Sequence, residues 1–449
     1  MDATAREHLR AIFEAGLAAV DPGEAVRRHL RVDGRFLVAD DVEIDLARTG
    51  RINVVGAGKA SAVMCEALEE LLGDRITDGW INVKTGHGRD LRRIHVHEAG
   101  HPVPDEAGVR GTREILRRVQ GLREDDLVLC CLSGGGSALM TLPCEPLTLS
   151  DARDLNEALL RCGAPIGDMN AVRKHFSRVK GGRLAEAAQP ARVVSLLLSD
   201  VIGDRLDVIA SGPTAPDEST WSRVQEVVGR YGIEKELPEA VLSLLEAGLR
   251  NDVPETPKEG DPLFERVTNL VIASNRVAVE AAAGKAEALG YRPHIVTTTL
   301  EGEARDAVAD MVQLARRVRE QSDPVAPPAC LIAGGETTVT VTGDGRGGRN
   351  QEFALAAAGC IEGLSGISVL AAGTDGTDGP TDAAGAFADD RTAERARIEG
   401  LDPIEFLDRN DSYTFFDSLG DLLKTGPTGT NVMDLYLFLV EKPSEGGAP

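Results

Sequence analysis

The chain has 449 residues, 42% of them hydrophobic, and carries 49 basic against 72 acidic residues for a net charge of −23. Such a length and apolar content predict two or three cored domains and exclude a disordered chain, while the charge argues against broad attachment to nucleic acid or anionic lipid. Seven cysteines without a CxxC pair, and no apolar run of membrane-spanning length, predict a cytoplasmic protein without a disulfide framework.

In chain order, residues 4–20 and 23–30 read as helices. The first is amphipathic and lacks the continuous apolar centre of a signal peptide. Residues 52–61, INVVGAGKAS, then pass from a buried strand into glycines. This stretch lacks the spacer and following hydroxyl residue of a Walker A loop, and the third glycine of a dinucleotide fingerprint. What remains is Gly56, Gly58 and Lys59 at a helix start. A cation there opposes the helix dipole, and a phosphate would give it a purpose; a solvated surface lysine is the alternative.

Strands over 80–84 and 93–97 run into KTGHG and HEAGHPVPD. His87, His95, His97 and His101 raise a metal reading, but no nearby cysteine or HExxH helix supports it. Glu98, His101 and Asp105 are expected to line a cleft instead. A helix over 105–120 leads to residues 127–140, LVLCCLSGGGSALM. Six apolar residues predict a strand buried on both faces. Ser133, Gly134, Gly135, Gly136 and Ser137 then form a turn where backbone can approach a ligand, with Ser137 expected to cap the next helix. The turn is either a phosphate seat or a bare connection. Similar strand ends recur at 193–204, 270–275, 331–337 and 367–375, and in open α/β sheets ligands bind beyond such ends.

Residues 168–184 carry Arg173, Lys174, Arg178, Lys180 and Arg183. On a helix Arg173, Lys174 and Lys180 would share one side, able to hold a carboxylate or phosphate or simply to face water. Asp200 and Asp204, at the end of a strand over 193–198, are base or magnesium candidates, with helix capping as their plain role. Helices over 217–231 and 238–248 lead into NDVPETPKEGDPLF, where a domain junction is placed. A β-α-β unit follows, with Asn275 at its first strand end. The alternating run TTVTVTG predicts a half-buried strand in an antiparallel hairpin, and therefore a mixed sheet. Gly343, Gly345 and Gly348 match GxGxxG only formally, whereas Arg346 and Arg349 just before a helix could fork onto phosphate oxygens. Asp375, Asp378 and Asp382 form either a metal loop or a turn held by Asx hydrogen bonds, and a final strand covers 432–440.

Together, GAGKAS, LSGGGSAL, NAVRKHFSRVKGGRLA, SDVIGDRLDVIASGPT, GGETTVTVTGDGRGGRNQE, GTDGTDGPTDAAGA and TGPTGTNVMDL resemble the glycerate 2-kinases of the MOFRL family over roughly residues 5–440. The resemblance implies an α/β fold. A Rossmann-like three-layer N-terminal domain would span 1–258 and a C-terminal α/β MOFRL domain with a mixed sheet 259–449, with the active site in the interdomain cleft. It implies ATP-dependent phosphorylation of D-glycerate at its 2-hydroxyl with Mg²⁺, and marks Lys59 and Arg349 as catalytic. The other roles are expectations from phosphoryl-transfer chemistry. Asp200 joins the catalytic set. Gly56, Gly58, Ser133, Gly134, Gly135, Gly136, Ser137 and Asn275 would bind ATP; His101, Arg173 and Lys174 would bind glycerate; Asp204, Asp375 and Asp378 would bind Mg²⁺. Expected partners are these small molecules, with no nucleic acid or membrane; a homodimer is compatible with the sequence, which does not fix the oligomeric state. The rival is an NAD(P)-dependent hydroxypyruvate reductase, opposed by the missing fingerprint at Gly56 and the poor context at Gly343.

Overall fold

Runs that are apolar on both faces become strands only where something covers both faces. In the computed structural model, which describes residues 1–442, such runs build a six-stranded sheet. Its order is Ile94–Ala99, Asp78–Lys84, Ile52–Ala57, Leu127–Leu132, Arg192–Leu198 and Val267–Ala273. The first five strands are mutually parallel. Counted by chain position within this sheet, the order is third, second, first, fourth, fifth, sixth, so it reverses between Ile52–Ala57 and Leu127–Leu132. In doubly wound sheets such a reversal opens a crevice at the carboxyl ends of the two strands, where ligands bind. Both strands are buried throughout. Their close approach requires Gly56, where a Cβ would collide with the Cys131 carbonyl oxygen.

This sheet belongs to a unit formed by residues 22–272, together with a small antiparallel sheet of Leu30–Asp33, Phe36–Ala39 and Val42–Asp45. The second unit comprises Met1–Asp21 and the chain from Ala273. The division therefore differs from the junction expected at 258/259, and the first helix falls on the unexpected side. Helix Ala3–Ala19 buries Leu9, Ile12 and Phe13 and packs along helix Asn275–Ala288. At Gly16 a Cβ would come 2.9 Å from Leu435 Cδ1 and 3.1 Å from the Ala278 carbonyl oxygen. Amphipathic spacing shows that a helix has a buried face, but not which core buries it.

The second unit's sheet runs Arg292–Leu300, Ala329–Gly335, Asp434–Val440, Ile367–Gly373, Gly385–Asp389 and Leu422–Leu423. The first pair is parallel and the others antiparallel. The expected mixed sheet is present, but its source is not TTVTVTG. Residues 336–342 make only an isolated bridge, Thr338 to Glu303. The Thr340 amide donates to Glu303 Oε1 and the Thr342 amide to Asn410 Oδ1, and Val341 is 72% exposed. β-branched residues favour an extended backbone; here side-chain acceptors took the place of a neighbouring strand. No helix among the described residues is long and apolar enough to cross a membrane.

Candidate active site

Two loops are laced together where the first sheet reverses. The Gly58 amide donates to Asn82 O (3.1 Å), the Lys59 amide to Gly134 O (2.9 Å) and the Ser133 amide to Ala57 O (3.2 Å). Ser133 Oγ accepts from the Ala60 amide at 3.0 Å. Gly58 has φ +147°, and a Cβ there would collide with Ser133 Oγ. Only glycine fits. The helix begins at Ser61 with Ala60 as its cap, so Lys59 precedes it rather than occupying its first turn. Lys59 is half-buried, and its side chain runs past Gly135.

Gly134, Gly135, His101 and Asp200 surround that lysine. A Cβ on Gly134 would strike the Asp200 carboxylate; one on Gly135, at φ +82°, would sit 2.9 Å from His101 Nε2. Burial pushes the Asp200 carboxyl up, against its own backbone amide and Lys59. Burial, and then Lys59, push His101 down to about 4, so the imidazole is neutral at ordinary pH. A carboxylate with raised basicity beside a cation suits proton abstraction from a hydroxyl. The bare backbone and the ammonium suit a phosphate. Asp204 lies just beyond, in the turn Ile202–Asp204 at φ +53°. Among the described residues no group of three or more His, Cys, Asp or Glu side chains is gathered as a metal site.

Ser137 does not cap a helix. The helix here is the single turn Gly136–Leu139, capped by Gly135 without a side-chain bond. Instead Ser137 Oγ bonds Ser211 Oγ at 2.8 Å and accepts from Lys180 Nζ at 2.9 Å. The basic stretch is also rearranged, because helix Ile166–His175 stops at its Phe176 cap. Lys174 turns to Asp207 (3.1 Å) and Asp217 (3.2 Å). It is a buried, neutralised structural cation and leaves the expected glycerate set. Arg173 bonds Asn156 Oδ1 and lines a cavity of about 220 Å³ shared with His101, Gly135, Ser137, Phe176 and Lys180. Lys180 was read on one helix face with Arg173 and Lys174 but was not carried into the expected glycerate set. The signal for it was Gly181-Gly182, both at positive φ, which marks a tight turn rather than a continuing helix.

In the second unit Arg349 opens helix Arg349–Cys360. Its Nε and Nη2 fork onto Asp434 at 2.6 and 3.0 Å, and Nη1 meets Glu336 Oε1 at 2.7 Å. Burial opposes its charge, but Asp434 and Glu336 outweigh burial and hold the guanidinium above its usual range. Asp378, expected on metal, caps the same helix. Its Oδ1 accepts from the Asn350 amide (3.1 Å), and its Oδ2 from the Gln351 amide (2.8 Å) and Nε2 (2.9 Å). With both oxygens taken it offers no open ligand position. Burial drives its carboxyl up to about 6 against those two amides, and Asp434 adds to the rise. Asp375 Oδ1 accepts from the Thr377 amide at 3.0 Å, an Asx turn. Asp382 is exposed and bonds Tyr413 and Lys424. Asn275, expected at ATP, is buried and donates to Val432 O (2.9 Å) and Asp434 O (3.0 Å); its amide nitrogen is spent on the fold.

Two weaker motifs are also accounted for. A Cβ on Gly343 would strike the Arg409 backbone, on Gly345 Asp411, and on Gly348 Asp378, so that formal GxGxxG packs against its own protein. His95 stacks on Trp80 at 3.9 Å between centroids, with His97 at 5.4 Å from the same ring. The histidine pair is an aromatic stack.

Residues 8–246 match a family described as a domain of unknown function, DUF4147, and residues 329–434 match the MOFRL family. The chain is 42% identical over 433 residues to a glycerate 2-kinase of Pyrococcus horikoshii, covering 96% of each. It is 44% identical over 441 residues to an Agrobacterium vitis protein with a provisional hydroxypyruvate reductase name, covering 98% of this chain and 95% of the other. The crystal structure of glycerate kinase from Thermotoga maritima matches at TM-score 0.87 and 42% identity, over 97% of this chain and 99% of that one.

Proposed function

The chain belongs to the MOFRL family of glycerate 2-kinases and is a phosphotransferase; from that premise we propose that it moves the γ-phosphoryl group of ATP to the 2-hydroxyl of D-glycerate. The observation that carries this reading is Lys59, set over bare glycine backbone where the first sheet reverses, beside Asp200. Phosphoryl transfer needs positioned cations and one base more than it needs covalent chemistry.

In this reading Gly58, Ser133, Gly134, Gly135 and Gly136 provide the loop backbone that approaches the nucleotide phosphates, while Gly56, expected there too, lies inside a buried strand against the Cys131 carbonyl. Lys59 meets the charge that develops on the transferring group. Asp200 takes the 2-hydroxyl proton, while neutral His101 orients the acid without adding charge. Arg349 is the second catalytic cation, held in a fixed plane by its fork on Asp434. Asp204, close to Asp200 in the chain, is the carboxylate that would hold Mg²⁺, which when bound would neutralise phosphate charge.

The reductase reading has the provisional name of one relative behind it but no dinucleotide loop, since the glycines at 343, 345 and 348 are all met by protein atoms. The test incubates the enzyme with D-glycerate, ATP and Mg²⁺ and reads the product by phosphorus NMR. The secondary ester 2-phosphoglycerate is expected. Formation of the primary ester would overturn the regiochemistry, and NAD(P)⁺ reduction without ATP consumption would overturn the kinase reading itself.

A further inference from the structure

In a chain with 72 acidic and 49 basic residues, the cavity of about 220 Å³ has no aspartate or glutamate in its lining. It has His101, Arg153, Arg173 and Lys180 instead. Lys180 is only 8% exposed, yet its ammonium contacts neutral atoms alone, Ser137 O at 2.7 Å and Ser137 Oγ at 2.9 Å. Arg173 likewise bonds a neutral oxygen, that of Asn156. The electrostatic influences on Lys180 are burial and Arg173, and on Arg173 burial. No acidic group among the described residues relieves either one. Lys174 shows the other outcome, neutralised between Asp207 and Asp217. A buried cation without a counter-charge is costly, and a fold has no structural reason to keep one where an apolar side chain would pack. An arriving anion is the group that would complete this pair.

Resting on the kinase reading above, we propose that Lys180, together with Arg173, receives the carboxylate of glycerate. The acid's hydroxyls then fall within a cavity that Gly135 and His101 also line, and Leu142, Leu155 and Phe176 give it apolar walls that suit a short acid.

The test is titration calorimetry on the full chain with D-glycerate, its neutral methyl ester and ADP, together with D-lactate and methyl lactate. The native protein should bind D-glycerate roughly 10- to 100-fold more tightly than the ester, the size of effect a hydrogen-bonded charge gives. In Lys180→Met that preference should collapse to a few-fold, with ADP affinity within about threefold of native and a melting temperature unchanged or higher, because an unpaired buried charge has been removed. Arg173→Gln should erode the preference partially. The assignment is overturned if Lys180→Met keeps the acid-over-ester preference, if it lowers the melting temperature while glycerate binding stays intact, or if ADP affinity is what falls. Should the native chain prefer lactate over its ester through Lys180 and ignore glycerate, the carboxylate site stands and the glycerate reading fails. A native chain that binds neither acid overturns the assignment.

Discussion

The candidate-site cations of the two units are held in opposite ways. In residues 22–272, Arg173 and Lys180 sit in or beside a cavity with no carboxylate partner, and Lys59 lies over glycine backbone. In the other unit Arg349 is bound by Asp434, which is fully buried, and by Glu336. The first arrangement stores an unmet electrostatic demand that a ligand can satisfy directly. The second has already been satisfied by the fold, so its arginine is oriented in advance, and any phosphate must share it with carboxylates. Function and stability should therefore separate in the first unit and stay joined at Arg349.

The largest effect should come from Lys59→Met. Turnover should fall by about a thousandfold or more, because a cation is lost from developing charge, while the melting temperature moves by no more than about 2 °C. Equal losses of activity and stability would erase the contrast. Arg349→Ala should cut turnover by roughly a hundredfold or more and also lower stability by about 3–5 kcal/mol, since it strands the buried Asp434 charge. Arg349→Lys should do nearly as badly in turnover, because lysine cannot reproduce the two-donor fork. Near-normal kcat in that variant would remove Arg349 from the catalytic set.

Asp378 sharpens the comparison at a lower magnitude. Its folded carboxyl, at about 6 against an ordinary 3.8, binds its proton more tightly than the unfolded chain does. Stability should thus fall as pH rises from about 4 to 6, and Asp378→Asn should flatten that slope in thermal melts. The Mg²⁺ needed for half-maximal activity should not change; if it rises, the loop holds metal after all. The smallest effect concerns Lys180, whose amine burial and Arg173 hold down to about 7. Glycerate should recharge it, so binding at pH 8 should take up to about one proton and binding at pH 6 almost none. Calorimetry in buffers of different ionisation enthalpy reads this directly, and Lys180→Met should abolish it.

Much of this was legible in the residues. Continuous apolar runs ending in glycine, serine or aspartate mark the buried strands, and collinear motifs mark the family. Reading failed where a tertiary partner decides the outcome. Lys174 and Lys180 look equivalent while a helix is assumed to run past His175; once it stops at Phe176, one lysine meets two aspartates and the other a serine. Asp378 looked like a ligand because its acceptors' partners, the amides of Asn350 and Gln351, lie 28 and 27 residues away in the chain. TTVTVTG carried a strand's pattern, but pattern cannot supply a neighbour, and Glu303 and Asn410 took its amides instead.

The allegiance of helix Ala3–Ala19 has a consequence in time. It is made before residues 22–272, yet the helix it packs along begins at Asn275. At about 5–20 residues per second, that partner leaves the ribosome on the order of ten to fifty seconds later. During the interval residues 22–272 can complete their own sheet, while Leu9, Ile12 and Phe13 wait with no core to enter. A nascent chain of this protein therefore carries an uncovered apolar stripe until Asn275–Ala288 has emerged, and that stripe is where a holding chaperone would find it.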